Sequence, residues 1–526
     1  MKKMLSLMST AILLLSLVAG CFPKGGVEQK AAPDAGEKKV KEETVIVRLE
    51  GGDWGYPTPF AHYSRGPGSA KTAYIFDSLL ERDEKGNIPW LAERWDILDD
   101  GTRYVFHIRP GVKWQDGQPL TARDVAFSFN YYRQYRPVSI SDMVMDQNYL
   151  LQIKVLSDMQ VEFTTVEANA TFLETVGRVR IIPEHIWSGI EKPEEFLEPA
   201  AVIGSGPLRL VDYNKEHGTY RFEAFMDFWG PRGALDVLEF VPVSDAVLAL
   251  EKGEIDLAGI PADVLSRFKN NPAFTAIENP AFWGYRLRFN MEKLPEFKTK
   301  AVRQAFAYAI DRQELVDKIA RGEAIPGSMG ILSPHHHWYN SDLPSYQRNL
   351  EKAKELIVGA GISHKPSYDL LVAGGEEVRI GEVLKEQLAM AGIDIKVTSV
   401  DMKTRDARIT EGNYELVLVG HGGWGQDPDY LRARFSSAET TWTSGTPGYS
   451  NPEVDRLAAE QLKETNEARR KELIFTLQQL LAEDVPEIPL YLTTGHNVFR
   501  QDVYDGWVHV FDHHAPTHNK LSYLQR

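Results

Sequence analysis

An α/β fold divided into more than one lobe is predicted by three observations. The chain has 526 residues, several times a typical domain of roughly 100 to 200 residues, so it should divide around separate cores. From Thr299 onward, amphipathic helices alternate with short apolar strands, as in a parallel sheet with covering helices. Before that point hairpins, turns and helices mix without an internal repeat. Composition agrees with a folded globule, at 43% hydrophobic and 25% charged residues.

The N-terminus reads as an export signal. Lys2 and Lys3 precede an apolar run from Met4 to Leu17, and Val18, Ala19 and Gly20 supply small side chains just before Cys21, the only cysteine. The run is shorter than the roughly 20 apolar residues of a membrane span. Its order resembles a bacterial lipoprotein lipobox, which implies a signal peptide over residues 1–20 and acylation of Cys21. No cysteine then remains for a disulfide or a thiolate metal site. Residues 21–43 carry glycines, prolines and mixed charges, too little apolar surface to offset the entropy of ordering, and read as a flexible tether. Net charge is −15, or −17 once Lys2 and Lys3 are removed. Such a surface repels nucleic acid and anionic headgroups, so neither is an expected partner.

The first strand is predicted over Thr44 to Leu49, followed at once by the irregular turn GGDWGYPTPF. DDGTRYVFHIRPGVKW reads as an alternating strand between two turns. LTARDVAFSFNYYR reads as a helix with Thr121 as N-cap and Asp124 at the third helical position, a capping-box variant. PLRLVDYNKEHGTYRFEAF reads as a hairpin, and VSDAVLALEKGEIDLAG as a helix followed by a strand. TKAVRQAFAYAIDRQELVDKIARG places Val302, Phe306, Ala309 and Ile310 on one face of a single long helix that stops at Gly322. Helix NLEKAKELIVGAG, strand YDLLVAGG, helix RIGEVLKEQLAMAG and strand IDIKVTSV follow.

Four segments in order, IPWLAERWDILDDGTRYVFHIRPGVKWQDGQPLTARDVAFSF (88–129), GSGPLRLVDYN (204–214), VRQAFAYAIDRQELV (302–316) and YSNPEVDRL (449–457), resemble the family 5 extracellular solute-binding proteins, receptors of peptide- and nickel-type ABC importers. The resemblance implies a two-lobed periplasmic-binding-protein fold with a ligand cleft between the lobes and a discontinuous first lobe. Lobe I is expected over 44–285 and 492–526 and lobe II over 286–491, with crossings near Tyr285 and Tyr491. It also implies a non-enzymatic, monomeric receptor without a cofactor. That receptor is exported and faces the periplasm or cell exterior, held to the membrane only by its lipid anchor. It takes oligopeptides between closing lobes and passes them to an ABC permease; a nickel chelate or an oligosaccharide is the alternative ligand. A lipid-anchored hydrolase is the competing class, but no GxSxG, HExxH or Walker motif occurs.

The segment GHGGWGQDPDYLRARF (420–435) is expected to set ligand class, because a glycine-rich loop leaving a strand brings backbone close to a ligand. In peptide-binding relatives this loop resembles GWxxDxxDPD, and its first aspartate pairs with the peptide amine. Alignment on Asp427, Pro428 and Asp429 puts Trp424 at that position, where an indole offers stacking and one N–H in place of a carboxylate. Trp424 either lines the cleft or wedges the loop against the core. His421, Gly423 and Asp427 stand beside it as ligand candidates, Asp427 being expected first of all to cap the element after Pro428. Trp54 and Tyr56 in the first turn are expected to face the ligand or to pack between lobes. Arg133 and Arg136 fit a ligand carboxylate or a solvated helix end. His335 and His337 are weak metal candidates, since alternate residues of an extended chain share a face. His513, His514 and His518 form a still weaker set.

Overall fold

The first strand, β1 (Ile46–Glu50), alternates partly buried and buried side chains and lies inside a seven-stranded sheet. The computed structural model describes residues 44–64, 66–83, 86–362, 365–422, 427–437, 445–509 and 516–524, without the side chains of Ala262 and His421. The expected signal and tether with Cys21 therefore lie outside the described residues, as do Gly423, Trp424, His513 and His514. Among the described residues no helix is long and apolar enough to cross a membrane.

After β1 the chain makes a hairpin of β2 (Leu80–Asp83) and β3 (Gly86–Pro89). It then builds a small antiparallel sheet from β4 (Ala92–Leu98), β5 (Arg103–Ile108), β6 (Leu150–Ser157) and β7 (Gln160–Thr165), in the order β4-β5-β7-β6. The expected alternation in β5 is not observed: Tyr104 to Ile108 are all buried, because β5 is an inner strand packed on both faces. The helix Ala122–Gln134 covers this sheet. Thr121 Oγ1 accepts from Arg123 N at 3.2 Å and Asp124 Oδ2 accepts from Thr121 N at 2.8 Å, so the capping box forms as read.

The chain returns to the first sheet through the hairpin β8 (Leu208–Asn214) and β9 (Thr219–Ala224), then β10 (Val237–Val241), β11 (Leu257–Ile260) and β12 (Phe274–Glu278). It next enters a second sheet, formed by β13 (Trp283–Phe289), β14 (Ala324–Pro326), β15 (Ser367–Ala373), β16 (Asp394–Val400), β17 (Leu416–His421) and β18 (Glu487–Thr493). The last strand, β19 (His496–Arg500), goes back to the first sheet. Strand orders are β12-β19-β11-β1-β10-β9-β8 and β14-β18-β13-β17-β15-β16. The chain thus passes between the sheets at residues 279–282 and 494–495, and Tyr285 and Tyr491 are cross-strand partners just inside the second sheet. Each sheet has its own large core, around Tyr74, Phe106 and Trp187 in one lobe and Phe289, Phe306 and Leu477 in the other.

The long helix read from Thr299 is two helices, Lys300–Ala309 and Arg312–Lys318. Asp311 breaks it: its side chain accepts from Glu314 N at 3.0 Å, and its own N–H donates to buried Gln387 Oε1 at 3.0 Å. The intended face is still inside, since Val302, Phe306, Ala309 and Ile310 are all buried. The C-terminal segment is stapled to the first lobe. Lys520 Nζ meets Asp77 Oδ1 at 2.7 Å and Glu81 Oε1 at 2.8 Å, all three side chains being buried, and Tyr523 packs on Tyr74.

Candidate functional site

Strand direction locates the site before any side chain is considered. In the first sheet β1 runs parallel to both β10 and β11, with carboxyl ends at Glu50, Val241 and Ile260. Ile260 and Glu278 both oppose His496, so this edge is the one at which the chain leaves and returns. In the second sheet β15 is parallel to β16 and β17, ending at Ala373, Val400 and His421. Gly284 opposes His421, and Trp283 opposes Thr493. Both sheets therefore turn the carboxyl ends of their parallel strands toward the two crossovers. In open α/β sheets the crevice beyond those ends is where ligands bind.

The crossovers are short and bonded to each other. Asn279 N donates to Gly495 O at 2.7 Å, and Asn497 Nδ2 donates to Asn279 Oδ1 at 2.7 Å. His335 and Ser333 hold the first crossover from the second lobe: Ala281 N donates to His335 Nδ1 at 2.9 Å and Ser333 Oγ donates to Ala281 O at 2.6 Å.

On the first lobe the turn after β1 is organised by Asp53. Its oxygens accept from Tyr213 Oη at 2.6 Å, Tyr63 Oη at 2.7 Å and Gly55 N at 3.0 Å. Burial pushes this carboxyl up, but the three donors outweigh it and hold the group below the usual carboxylate range. Gly55 has φ +81°, and a Cβ there would lie 2.5 Å from Ala61 O, so only glycine fits the turn. Trp54, half-buried, donates its backbone N–H to Tyr220 Oη at 2.9 Å. Tyr56 donates its hydroxyl to Glu198 O at 3.2 Å, and its ring lies 5.7 Å from that of Tyr213. Beneath the turn, Lys71 is buried with its Nζ 3.8 Å from the Phe240 ring centre and 4.8 Å from that of Tyr220. Burial brings its ammonium down to about 7.

On the second lobe Asp427 faces Arg470, with Oδ1 2.6 Å from Nη2 and Oδ2 2.8 Å from Nη1, while Oδ1 also accepts from Asp429 N at 2.8 Å. This is an Asx-type turn before the helix Tyr430–Phe435, so Asp427 organises the loop and spends both oxygens on a guanidinium fork. Burial raises its carboxyl above the usual range despite Arg470. Of the other residues expected in this loop, the backbone of His421 pairs with Gly284; its side chain, Gly423 and Trp424 lie outside the described residues.

Between the small sheet and the second lobe opens a cavity of about 770 Å³. Asn87, Tyr104, Asn169 and Glu174 line one side; His335 to Trp338, Asp427 and Arg470 line the other. Asn87 Oδ1 is buried and meets no donor among the described residues. The two sides touch beyond the cavity, where Ala170 N donates to Leu462 O at 2.6 Å and Lys463 Nζ lies 2.5 Å from Glu167 Oε2. His335, committed through Nδ1 to Ala281, and His337, 3.3 Å from Glu467 Oε1, are not joined in a metal-holding group; among the described residues no set of three or more such ligands is found. Arg133 donates to Leu150 O at 2.5 Å and to Val144 O at 3.5 Å, and exposed Arg136 pairs with Asp142 at 2.6 Å. Both guanidiniums are spent on the segment from Asp142 to Leu150 that follows their helix, and neither lines the cavity.

Sequence reasoning passed over Arg470, Lys71, Tyr213 and Trp283. Arg470 stands in a run of charges that reads as a solvated helix face, and its partner is 43 positions away. Nothing local marks Lys71 or Tyr213. Trp283, opening β13, carried a detectable signal only in its pairing with a glycine-rich strand end.

A family model described as bacterial extracellular solute-binding proteins, family 5, middle, matches residues 87–442. The chain is 26% identical over 499 residues to the dipeptide-binding protein of Escherichia coli (strain K12), covering 88% of this chain and 92% of that protein. It is 28% identical over 463 residues to the heme-binding protein A of Haemophilus influenzae, covering 81% and 83%. Among solved structures, HbpA2 from Haemophilus parasuis superposes with a TM-score of 0.79 at 22% identity, over 92% of this chain and all of that one.

Proposed function

We propose, on the premise that this chain belongs to the bacterial extracellular solute-binding proteins of family 5, that it is the receptor of an ABC importer and captures short peptides between its lobes. The observation that carries this reading is the shared edge: two sheets aim the carboxyl ends of their parallel strands at a pair of short crossovers, beside a cavity of about 770 Å³. Ligand pockets commonly span about 300 to 1,000 Å³. A site built this way engages a ligand from both walls, so ligand affinity drives the lobes together. The relatives named for dipeptide binding support the peptide class. So does Asn87 Oδ1, a buried acceptor suited to a peptide N–H. Asp427 is neutralised by Arg470, so the peptide ammonium is held elsewhere or left in water.

The closed form then hands its peptide unchanged to the membrane permease, with no chemistry in the receptor. Acylation of Cys21 keeps it close to that permease and raises its effective concentration there. The test is mass spectrometry, with metal analysis, of whatever is released when natively purified protein is denatured, followed by calorimetry with di- and tripeptides. A set of short peptides, bound and recovered intact, is the expected result. A stoichiometric metal chelate or sugar, or hydrolysis of the bound peptide, overturns the reading. For the anchor, Cys21→Ala should move the protein from the detergent to the aqueous phase on partitioning.

A further inference from the structure

Trp283 is the one exposed tryptophan among the described residues, at 42%. Singly exposed apolar side chains are ordinary; the seat of this one is not. The indole lies across the end of β17, against two glycines there. A Cβ on Gly420 would sit 3.0 Å from Trp283 Cζ2, and one on Gly422 only 2.6 Å from Cδ1. Glycine at a strand end weakens the strand and marks close approach by another group, and here that group is the ring. Tyr285 supports one edge at 4.8 Å in a T-shaped contact, and Thr493 Oγ1 donates to the Trp283 carbonyl at 2.8 Å. One face of the ring is thus held by bare backbone, and much of the ring stays open at the edge where the crossovers meet.

We propose that Trp283 is a specificity-determining residue of the cleft: its open face is the platform on which a flat, preferably aromatic, side chain of a bound short peptide stacks. This inference rests on the peptide reading above. Stacking on an indole selects for ring-bearing side chains, because offset and edge contacts between rings add attraction beyond buried area alone.

The test compares calorimetric affinities for alanyl-phenylalanine and alanyl-phenylalanyl-alanine with those for their all-alanine counterparts. Wild type should favour the aromatic peptides. Trp283→Ala should weaken them about tenfold while changing the all-alanine peptides less than about twofold. Trp283→Phe should retain most of the preference. Gly422→Ala leaves the tryptophan in place but denies it its seat, and should lose the preference as Trp283→Ala does. That variant and Trp283→Phe decide the matter if Trp283→Ala fails to fold. Equal losses for both peptide types, or no loss for either, overturn the platform while leaving peptide capture standing. Failure of wild type to bind any of the four peptides, with a non-peptide ligand recovered from the native protein, overturns the peptide reading and the platform with it.

Discussion

Reversing the charge at Lys463 should weaken ligand binding about five- to thirtyfold without altering either lobe. Lys463 and Glu167 bring opposite lobes together at 2.5 Å, with side chains 55% and 51% exposed. A pair so exposed contributes roughly 0.2 to 1 kcal/mol. Lys463→Glu removes that term and adds like-charge repulsion of about 1 kcal/mol at contact distance in water. The swing of about 1 to 2 kcal/mol falls only on the arrangement in which the lobes touch. If ligand binding requires that arrangement, the loss appears in affinity at tenfold per 1.4 kcal/mol. Calorimetry with the recovered ligand at about 0.05 M and about 1 M salt is the assay. The effect should nearly vanish at the higher concentration, where the screening length is about 3 Å. The charge swap Glu167→Lys with Lys463→Glu should restore affinity. A loss that persists in high salt, or that the swap leaves unrepaired, refutes the coupling of this contact to binding.

Three further outcomes follow from buried charges. Arg470→Met strips Asp427 of both guanidinium contacts and should destabilise the second lobe by about 3 kcal/mol in urea unfolding, with Asp427→Asn recovering part of the loss. Burial alone would raise the Glu81 carboxyl, but Arg180 and Lys520 hold it at about 2. Its contribution, about 3 kcal/mol, is full above pH 4.5 and lost as pH falls toward 2, so Glu81→Gln should flatten the acid limb of a stability profile. Lys71 behaves oppositely. Its folded value of about 7 lies below the unfolded one near 10.5, so its ammonium costs stability below pH 7, and the cost is relieved as pH rises toward 10. Lys71→Met should stabilise the protein at pH 6 by about 1 kcal/mol or more and remove that slope.

Elements whose cause is local were legible in the sequence. Thr121 and Asp124 are three residues apart and satisfy each other, so the helix begins at Ala122, as their spacing predicts. The hairpin of β8 and β9 and the alternation of β15, the helix Gly374–Met390 and β16 follow from patterns a dozen residues long. Where two local signals compete, periodicity misleads. The 300–318 stretch keeps an apolar face throughout, yet Asp311 and Glu314 form a capping pair that restarts the helix, because buried Gln387 takes the N–H freed at the break. The site was much less legible. Asp427 acquires its meaning from Arg470, and Trp283 from glycines more than a hundred positions away. No spacing rule connects such pairs; only strand order does.

The strand order of the first sheet also sets a timetable for assembly. β12 joins that sheet solely through β19, which is made last of the strands among the described residues and fits between β12 and β11. More than two hundred residues separate β12 from β19 along the chain, roughly 10 to 40 s of synthesis. Throughout that interval β11 keeps an unpaired edge, and β12 has nothing to bind. The first lobe, though begun at residue 46, can therefore be sealed only once the chain has reached Arg500. A product truncated between Glu278 and His496 keeps an exposed, aggregation-prone strand edge at β11, so the topology itself penalises chains that stop short of β19.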